Sequence, residues 1–220
     1  MVASRMDVIP PDAIPPPRKE DVLFVFDRPT STLWYSLLGA YDLAYADAYL
    51  TAARVLVDHV EKVRKDNLVY PIVFLYRHHI ELVLKNIIGR APYLLDRPLT
   101  EAEKQHLGDH RLDLLWQDLK PLFGNFCKLA GWGEFSAAEE AAIDSYIGQL
   151  TALDRRSLSF RYARSTKGTP TLGKDFDCFN LHHFTQMMER LTHYLDELDK
   201  ASLDLEDTKR EMEGEYGYDL

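Results

Sequence analysis

The stretch YPIVFLYRHHIELVLKNIIGR, residues 70–90, decides the fold of this chain, because it is apolar on nearly every side and still carries a row of ionisable groups. Its aliphatic side chains cover most of the helix circumference, whereas Arg77, His78, Glu81 and Lys85 share one arc. This pattern is typical of a helix at the centre of a bundle. Since an unpaired buried ion is strongly destabilising, these four groups must be paired or functional.

Outside this helix, hydrophobic residues also recur at helical spacing, and no alternating strand pattern of useful length is found. Two capping-box patterns, Thr100-x-x-Glu103 and Ser136-x-x-Glu139, predict helix starts, the first of them for a short helix. The main predicted helices span residues 31–63, 70–90, 110–123, 136–153 and 176–205. The sequence therefore predicts an all-α bundle of about five helices.

Loops and terminal segments interrupt or flank this bundle, which we assign to residues 31–205 as one domain. Loops are predicted after Gly89 and over Ser157–Asp175, where glycine, proline and small polar residues are frequent. Residues 1–30 hold six of the eleven prolines, which predicts an extended Pro-rich arm. Residues 206–220 predict a flexible, acidic tail.

The chain shows no sign of a membrane segment or of metal-binding cysteine spacing. No window holds 18 consecutive apolar residues, and the N-terminus MVASRMDVIPPD lacks the apolar core of a signal peptide. We therefore expect a soluble, cytoplasmic protein without membrane contact. Cys127 and Cys178 lie in apolar settings without CxxC spacing and are predicted to be reduced packing residues.

The net charge of −9 is unevenly spread along the chain. Residues 196–220 carry ten acidic and three basic side chains, so they account for −7 of it. Residues 154–174 carry six basic side chains against Asp154 alone, a local charge of +5. A patch of this size attracts phosphate groups even in an acidic protein.

The row of charged groups on residues 70–90 combines with this basic loop into a candidate site. Glu81 is spaced to pair with Arg77 and Lys85, and a compact bundle can bring His110 and the basic loop against it. Arginine and lysine donate hydrogen bonds to phosphate, and histidine moves protons near neutral pH. The candidate catalytic residues are Arg77, His78, His110 and Arg161, and the candidate binding residues are Glu81, Lys85, Tyr162, Arg155, Arg156, Arg164 and Lys167.

Two other interpretations stay open at the level of sequence. In the first, Arg77, Glu81 and Arg161 form a buried ion-pair network that braces the fold, with Tyr162 packing and His110 as a cap. The protein is then a non-catalytic interaction module that engages a protein partner through its arm or its acidic tail. In the second, a divalent metal is held by His106, Asp109, His110 and Asp113 with His78 or Glu81. His79, His182, His183 and His193 are predicted to be packing residues.

Three segments carry a resemblance to a known family: FLYRHHIELVLK at 74–85, DHRLDLLW at 109–116 and SFRY at 159–162. In this order they resemble members of the HEPN superfamily, small helical-bundle domains of prokaryotic toxin–antitoxin, defence and nucleotide-handling systems. The resemblance spans about residues 34–194. It implies a helical bundle, a homodimer, and RNA or nucleotide as ligand.

The resemblance also implies an activity, because catalytic HEPN members are metal-independent ribonucleases that use an R-x4-6-H motif across a dimer. The formal match here is Arg54 to His59, with Val55 after the arginine. No cofactor is implied. Phosphate-binding loops of the GxGxxG and GxxxxGK[ST] types, the HExxH metal motif and the GxSxG motif do not occur in the chain.

Overall fold

The computed structural model of the protein describes residues 41–63, 65–131, 136–173, 176 and 180–216. Contacts divide the chain into two units, Met1–Leu38 and Gly39–Leu220, and every described residue belongs to the second. The arm predicted for residues 1–30, the helix start predicted at Ser31 and Cys178 lie outside the described residues.

The described part of the chain contains six α-helices and one 3₁₀ turn, Asp66–Leu68, joined by loops. The all-α prediction is confirmed. The helices are α1 Tyr41–Val63, α2 Val69–Leu94, α3 Glu101–Leu107, α4 Leu112–Ala130, α5 Ala137–Leu153 and α6 Leu181–Tyr216. Within these residues, the only pairing of β type is an isolated bridge between Arg164 and Pro170. None of the described helices has the length and hydropathy needed to cross a bilayer.

Helix α2 forms the centre of the fold, as its sequence predicts. It packs against α1, α4 and α6, and its apolar residues are buried on several sides. Helix α1 contributes small and aliphatic side chains to this core, α4 contributes leucines and aromatic rings, and α6 contributes Met188, Leu191 and Leu195. Burial of this area is the main stabilising contribution to the fold.

Two helices continue past the ends that the sequence predicts. The loop predicted to begin after Gly89 begins instead at Leu95, because α2 continues through Pro92. A proline inside a helix weakens it, but Ala91 and Leu94 are almost fully buried, and their packing offsets that cost. Helix α4, predicted to end at Phe123, continues in the same way to Ala130 and ends at Gly131, whose φ of 66° favours glycine.

Helix α6 begins and ends later than predicted. The start predicted near Phe176 lies at Leu181, and the end predicted near Leu205 lies at Tyr216. Residues 206–216 are helical because they contact the end of α2: Glu206 pairs with Arg90, and Lys209 donates to the carbonyl of Tyr93 at 2.7 Å. Local composition predicts a tail here, whereas these tertiary contacts stabilise a helix.

The two predicted capping boxes have different outcomes. At α3 the box is complete, since Thr100 Oγ1 accepts from the backbone N–H of Glu103 and Glu103 Oε2 accepts from that of Thr100. Helix α5 begins as predicted, but Ser136 makes no side-chain capping bond. The helical spacing of apolar residues on α5 predicts that Ala142 faces inward together with Ile143 and Ile147, but Ala142 is exposed.

The α3 box generates a prediction about pH. Hydrogen bonds from Arg97, and then from Thr100, lower the pKa of the Glu103 carboxyl to about 2. Because this folded-state pKa lies below the ordinary value, the stabilisation is complete above about pH 4.5 and disappears as the pH falls toward 2. We expect Glu103→Gln to lower the free energy of unfolding by about 2 kcal/mol at neutral pH, and by much less near pH 3, in urea denaturation.

Glu101→Gln is the matched control, since Glu101 lies on the same helix but its side chain is 90% exposed. We expect this change to have an effect below about 0.5 kcal/mol at every pH. Equal effects of the two substitutions would contradict a stabilising role of the capping box.

Candidate functional site

The guanidinium of Arg77 is the centre of the candidate site, and it is 1% exposed. It binds three elements: Nη1 donates to Glu81 on its own helix at 3.3 Å, Nη2 donates to the carbonyl of His110, and Nε donates to the carbonyl of Asp154 at 3.2 Å. Burial lowers the pKa of Arg77, and the negative charges of Glu81 and Asp154 oppose that shift. Arg77 therefore joins α2 to the start of α4 and the end of α5.

The carboxylate of Glu81 is equally buried and accepts from three groups. Besides Arg77, Lys85 Nζ lies 2.9 Å from Oε1, and His110 Nδ1 lies 2.8 Å from the same oxygen. Burial by itself raises the pKa of Glu81, but the hydrogen bonds from Lys85 and His110 outweigh it, so that the pKa is lowered. Glu81 is therefore a fixed anion beneath the surface of the bundle.

The imidazole of His110 connects this anion to solvent, since its side chain is 49% exposed. When Nδ1 donates its proton to Glu81, the other ring nitrogen, Nε2, carries a lone pair. Within the described part of the chain, no group is hydrogen-bonded to Nε2. A carboxylate–imidazole pair of this kind fixes the orientation of the ring and which of its nitrogens carries the proton.

His78 lies one position from Arg77 and packs among aromatic rings. Its ring is 4.4 Å from that of Tyr49, edge to face, and 5.5 Å from that of Phe74, stacked. Burial lowers the pKa of His78, and the nearby His110, Lys85 and Arg161 lower it further against the attraction of Glu81. His78 is therefore neutral at pH 7.

Arg161 continues this row of rings toward solvent. Its guanidinium carbon lies 5.7 Å from the centroid of Phe74 and 5.7 Å from that of Tyr162, which is 56% exposed. Arg161 Nε donates to the carbonyl of Ser157. Its guanidinium is thus held over two rings while the residue stays exposed.

Asp154 fixes the loop that carries Arg161. Its Oδ1 accepts from the backbone N–H groups of Leu158 at 2.8 Å and of Ser159 at 3.1 Å. Ser157, which directly precedes Leu158, is buried and has a φ of 58°, an uncommon conformation for a residue with a side chain. The backbone carbonyl of the same Asp154 accepts from Arg77 Nε, so the central arginine and the loop share one anchor.

The four other candidate binding residues, Arg155, Arg156, Arg164 and Lys167, are all exposed on this loop. Arg164 Nη1 donates to the carbonyl of Gly168 at 2.8 Å, inside a turn where Gly168 has a φ of 78°. The loop is therefore ordered by its own hydrogen bonds, and its cationic side chains face solvent.

Arg54 and His59, the formal match to the R-x4-6-H motif, make no hydrogen bond to the residues of this site among the described contacts. Arg54 binds both carboxylate oxygens of Glu189 on α6: Nε donates to Oε1 at 3.0 Å and to Oε2 at 3.2 Å, and Nη2 donates to Oε2 at 2.7 Å. Tyr76 also donates to Glu189, at 2.7 Å. His59 is exposed. The two members of the formal motif therefore have separate surroundings.

The residues of the metal alternative are directed to different partners. His106 Nδ1 lies 2.7 Å from Asp118, His110 binds Glu81, and Asp113 accepts from Arg111 at 3.0 Å. Over the described ranges, no three His, Cys, Asp or Glu groups are arranged to hold a metal ion.

The remaining histidines and the described cysteine divide into buried and exposed groups. His79 is buried, in agreement with the prediction of a packing residue, whereas His182, His183 and His193 are exposed on α6. Packing does not explain these three. Cys127 is a buried free cysteine, and burial raises the pKa of its thiol.

Three residues of the site were not found from the sequence. Phe74 precedes His78 by four residues, a spacing that brings two side chains of one helix into contact and that could have indicated their stacking. Asp154, the single acid at the start of the basic segment, was a second signal for an anchor. Tyr49 comes from α1, and no local pattern connects it to His78.

Comparison of this chain with protein-family models, curated proteins and solved structures gave no significant match.

The burial of Glu81 generates a prediction about stability. Glu81→Gln leaves Arg77 in the interior without its counter-charge, so we expect the free energy of unfolding to fall by about 3 kcal/mol. Glu189→Gln is the matched control, because Glu189 also accepts from an arginine and a second side chain but is 38% exposed. We expect it to lose about 1 kcal/mol or less. Urea denaturation measures both, and equal losses would contradict the role of burial.

Proposed function

We propose that the face formed by His78, Lys85, His110 and Arg161, together with the basic loop, binds the phosphate groups of RNA or of a nucleotide. The observation that carries the proposal is the convergence of basic side chains that reach solvent above a buried, fixed carboxylate. Lys85 and His110 are both held by Glu81 Oε1, at 2.9 and 2.8 Å. Donors that are already oriented bind an anion at a lower entropic cost.

The charge of this face favours an anionic ligand. Arg77, Lys85 and Arg161 carry positive charge against Glu81 and Asp154, and the loop adds four exposed basic side chains. The negative charge of residues 196–220 lies on a different part of the sequence. Within a Debye length, about 8 Å at physiological salt, the local positive potential is the one a ligand meets.

The row of rings supports RNA as the ligand. Tyr162 is exposed, and the guanidinium carbon of Arg161 lies 5.7 Å from the centroid of its ring and 5.7 Å from that of Phe74. Aromatic rings and arginine planes that reach solvent beside basic groups bind unpaired bases by stacking. The proposed ligand is therefore single-stranded RNA, with its phosphates on the cationic groups and a base on Tyr162.

The same arrangement supports metal-independent RNA cleavage. In this proposal, His110 Nε2 accepts the proton of a ribose 2′-hydroxyl, and the 2′-oxygen attacks the adjacent phosphorus. The bond to the 5′-oxygen breaks, that oxygen takes a proton from solvent, and a 2′,3′-cyclic phosphate remains. Arg161 and Lys85 stabilise the charge on the phosphate. Arg77 is buried and does not contact the phosphate, but it positions His110 through the hydrogen bond to its backbone carbonyl.

The resemblance to the HEPN superfamily supports the same ligand class. All three of its segments contain residues of this face: His78 and Lys85 on α2, His110 before α4, and Arg161 with Tyr162 in the loop. Under this proposal the protein works as a homodimer in a prokaryotic stress or defence system.

The second candidate function is a non-catalytic interaction module. The observation that favours it is the use of Arg77 and Glu81 inside the protein: each binds three protein groups, and each is 1% exposed. In this alternative the cluster only braces the bundle, and a protein partner binds elsewhere.

RNA binding separates the two candidates. We expect Arg161→Gln and Tyr162→Ala to weaken binding of a labelled single-stranded RNA in fluorescence polarisation, because each removes an exposed contact. The loss of one phosphate contact lowers the slope of log affinity against log salt by about 0.7. Lys62→Gln is the control, since Lys62 is an exposed cation on α1. No binding by the folded protein, or equal weakening by the control, would favour the interaction module.

RNA cleavage in EDTA tests the assignment of the base. We expect His110→Gln to lower the rate by about 100-fold or more, and the wild-type products to carry 2′,3′-cyclic phosphate ends. His59→Gln, which changes the histidine of the formal R-x4-6-H match, should keep full activity. The opposite pattern, with activity lost in His59→Gln and kept in His110→Gln, would overturn the assignment.

A further inference from the structure

A continuous row of rings crosses the face proposed to bind phosphate and extends beyond it onto α1. On α2, the ring of His78 is stacked on that of Phe74, with 5.5 Å between the centroids and 10° between the planes. Tyr49 of α1 meets His78 edge to face at 4.4 Å, and the ring of Tyr45 lies 5.8 Å from that of Tyr49. Because Arg161 lies over Phe74 in turn, the row connects α1, α2 and the basic loop.

Both ends of this row reach solvent, whereas its middle is partly covered. Tyr162, at the loop end, is 56% exposed, and Tyr45, at the α1 end, is 42% exposed. The three rings between them are half-buried: Phe74, His78 and Tyr49. The protein therefore presents two exposed rings, one on each side of a partly covered centre.

The basic side chains of the proposed phosphate site lie beside the middle of the row. Burial lowers the pKa of His78, and three positive neighbours lower it further: His110, Lys85 and Arg161. These three groups are therefore within electrostatic reach of the central ring. A phosphate that they hold has an exposed ring on either side along the row, one on the loop and one on α1.

The two tyrosines of α1 belong to one face of that helix. Tyr45 and Tyr49 are four residues apart, the spacing of neighbours on a helix surface. Burial, and then a hydrogen bond with Tyr45, raise the pKa of the Tyr49 hydroxyl. Asp47 lies about 200° round the helix from Tyr45 and lines a cleft with residues of α6. The ring of Tyr45 is therefore on the side of α1 that carries the row and not on the side of that carboxylate.

We infer that the site takes a single strand of several nucleotides, with one base on Tyr162 and a second base on Tyr45; this inference rests on the function proposed above. Exposed aromatic rings beside basic groups bind the bases of a single strand by stacking, with little regard to sequence. The phosphates between the two bases lie along the cationic middle of the row, where His110 reaches solvent. A mononucleotide occupies only one of the two rings, so the substrate class is an oligonucleotide.

Fluorescence polarisation with a labelled oligouridylate of about twelve nucleotides tests this inference. Its 2′-hydroxyls are methylated, so that the strand binds without being cleaved. We expect Tyr45→Ala to weaken binding by about tenfold, the loss of one stacked base. Because Tyr45 is uncharged, the slope of log affinity against log salt should keep its wild-type value, in contrast to Arg161→Gln.

Two control variants separate stacking from other effects of the substitution. Tyr45→Phe keeps the ring and removes only the hydroxyl that bonds to Tyr49, so we expect it to bind like the wild type. Val55→Ala removes apolar surface from another position of α1, since Val55 is 62% exposed, and should leave the affinity unchanged. Tyr45→Gln supplies a second variant without a ring if Tyr45→Ala does not fold.

The outcomes distinguish this inference from the function on which it rests. Unchanged affinity in Tyr45→Ala, with weaker binding by Tyr162→Ala, would overturn the second base-binding ring and leave the proposed function in place. No binding by the folded wild type would overturn both. Equal weakening by Tyr45→Phe or Val55→Ala, or a lower salt slope in Tyr45→Ala, would overturn stacking on Tyr45.

Discussion

The buried guanidinium of Arg77 is the interaction on which the rest of this structure depends. One side chain of α2 binds the carboxylate of its own helix, the backbone where α4 begins and the backbone where α5 ends. Those last two points are where the chain changes direction. A charge at this depth is stable only with such complete pairing, so the paths of both connections are coupled to one residue.

The charged groups around Glu81 therefore divide into a buried pair and a pair that reaches solvent. Arg77 and Glu81 lie inside and hold the backbone, whereas Lys85 and His110 use the same carboxylate as an anchor and reach solvent. Under the proposed function, brace and ligand site, which look like competing interpretations of the sequence, are two layers of one cluster. In the proposed cleavage reaction Arg77 is a positioning residue and does not contact the phosphate, because its side chain is 1% exposed.

Local sequence patterns predicted the features that depend on neighbours along one helix. The central position of α2, the pairing of Glu81 with Arg77 and Lys85, and the box at Thr100 all follow from such spacing. Features that depend on distant residues were not predicted. Proline and charge near residues 92 and 206 indicate a helix end, but Ala91, Leu94 and Arg90 stabilise helix there through contacts remote in sequence. The hydrogen bond from Arg77 to the carbonyl of Asp154 uses a backbone acceptor that every residue type carries. The sequence therefore gives no sign of it.

The backbone acceptors of Arg77 affect which substitutions the cluster can tolerate. Two of the three acceptors of Arg77 are backbone carbonyls, which every amino acid carries. The contact between position 110 and Arg77 therefore does not depend on the side chain there, whereas the contact with Glu81 does, because the imidazole donates to that carboxylate. A lineage that exchanges this histidine keeps the carbonyl bound by Arg77 and loses one of the donors to Glu81. Under the proposed function, single substitutions at position 110 therefore change the chemistry of the surface, while the backbone contacts of the central arginine stay the same.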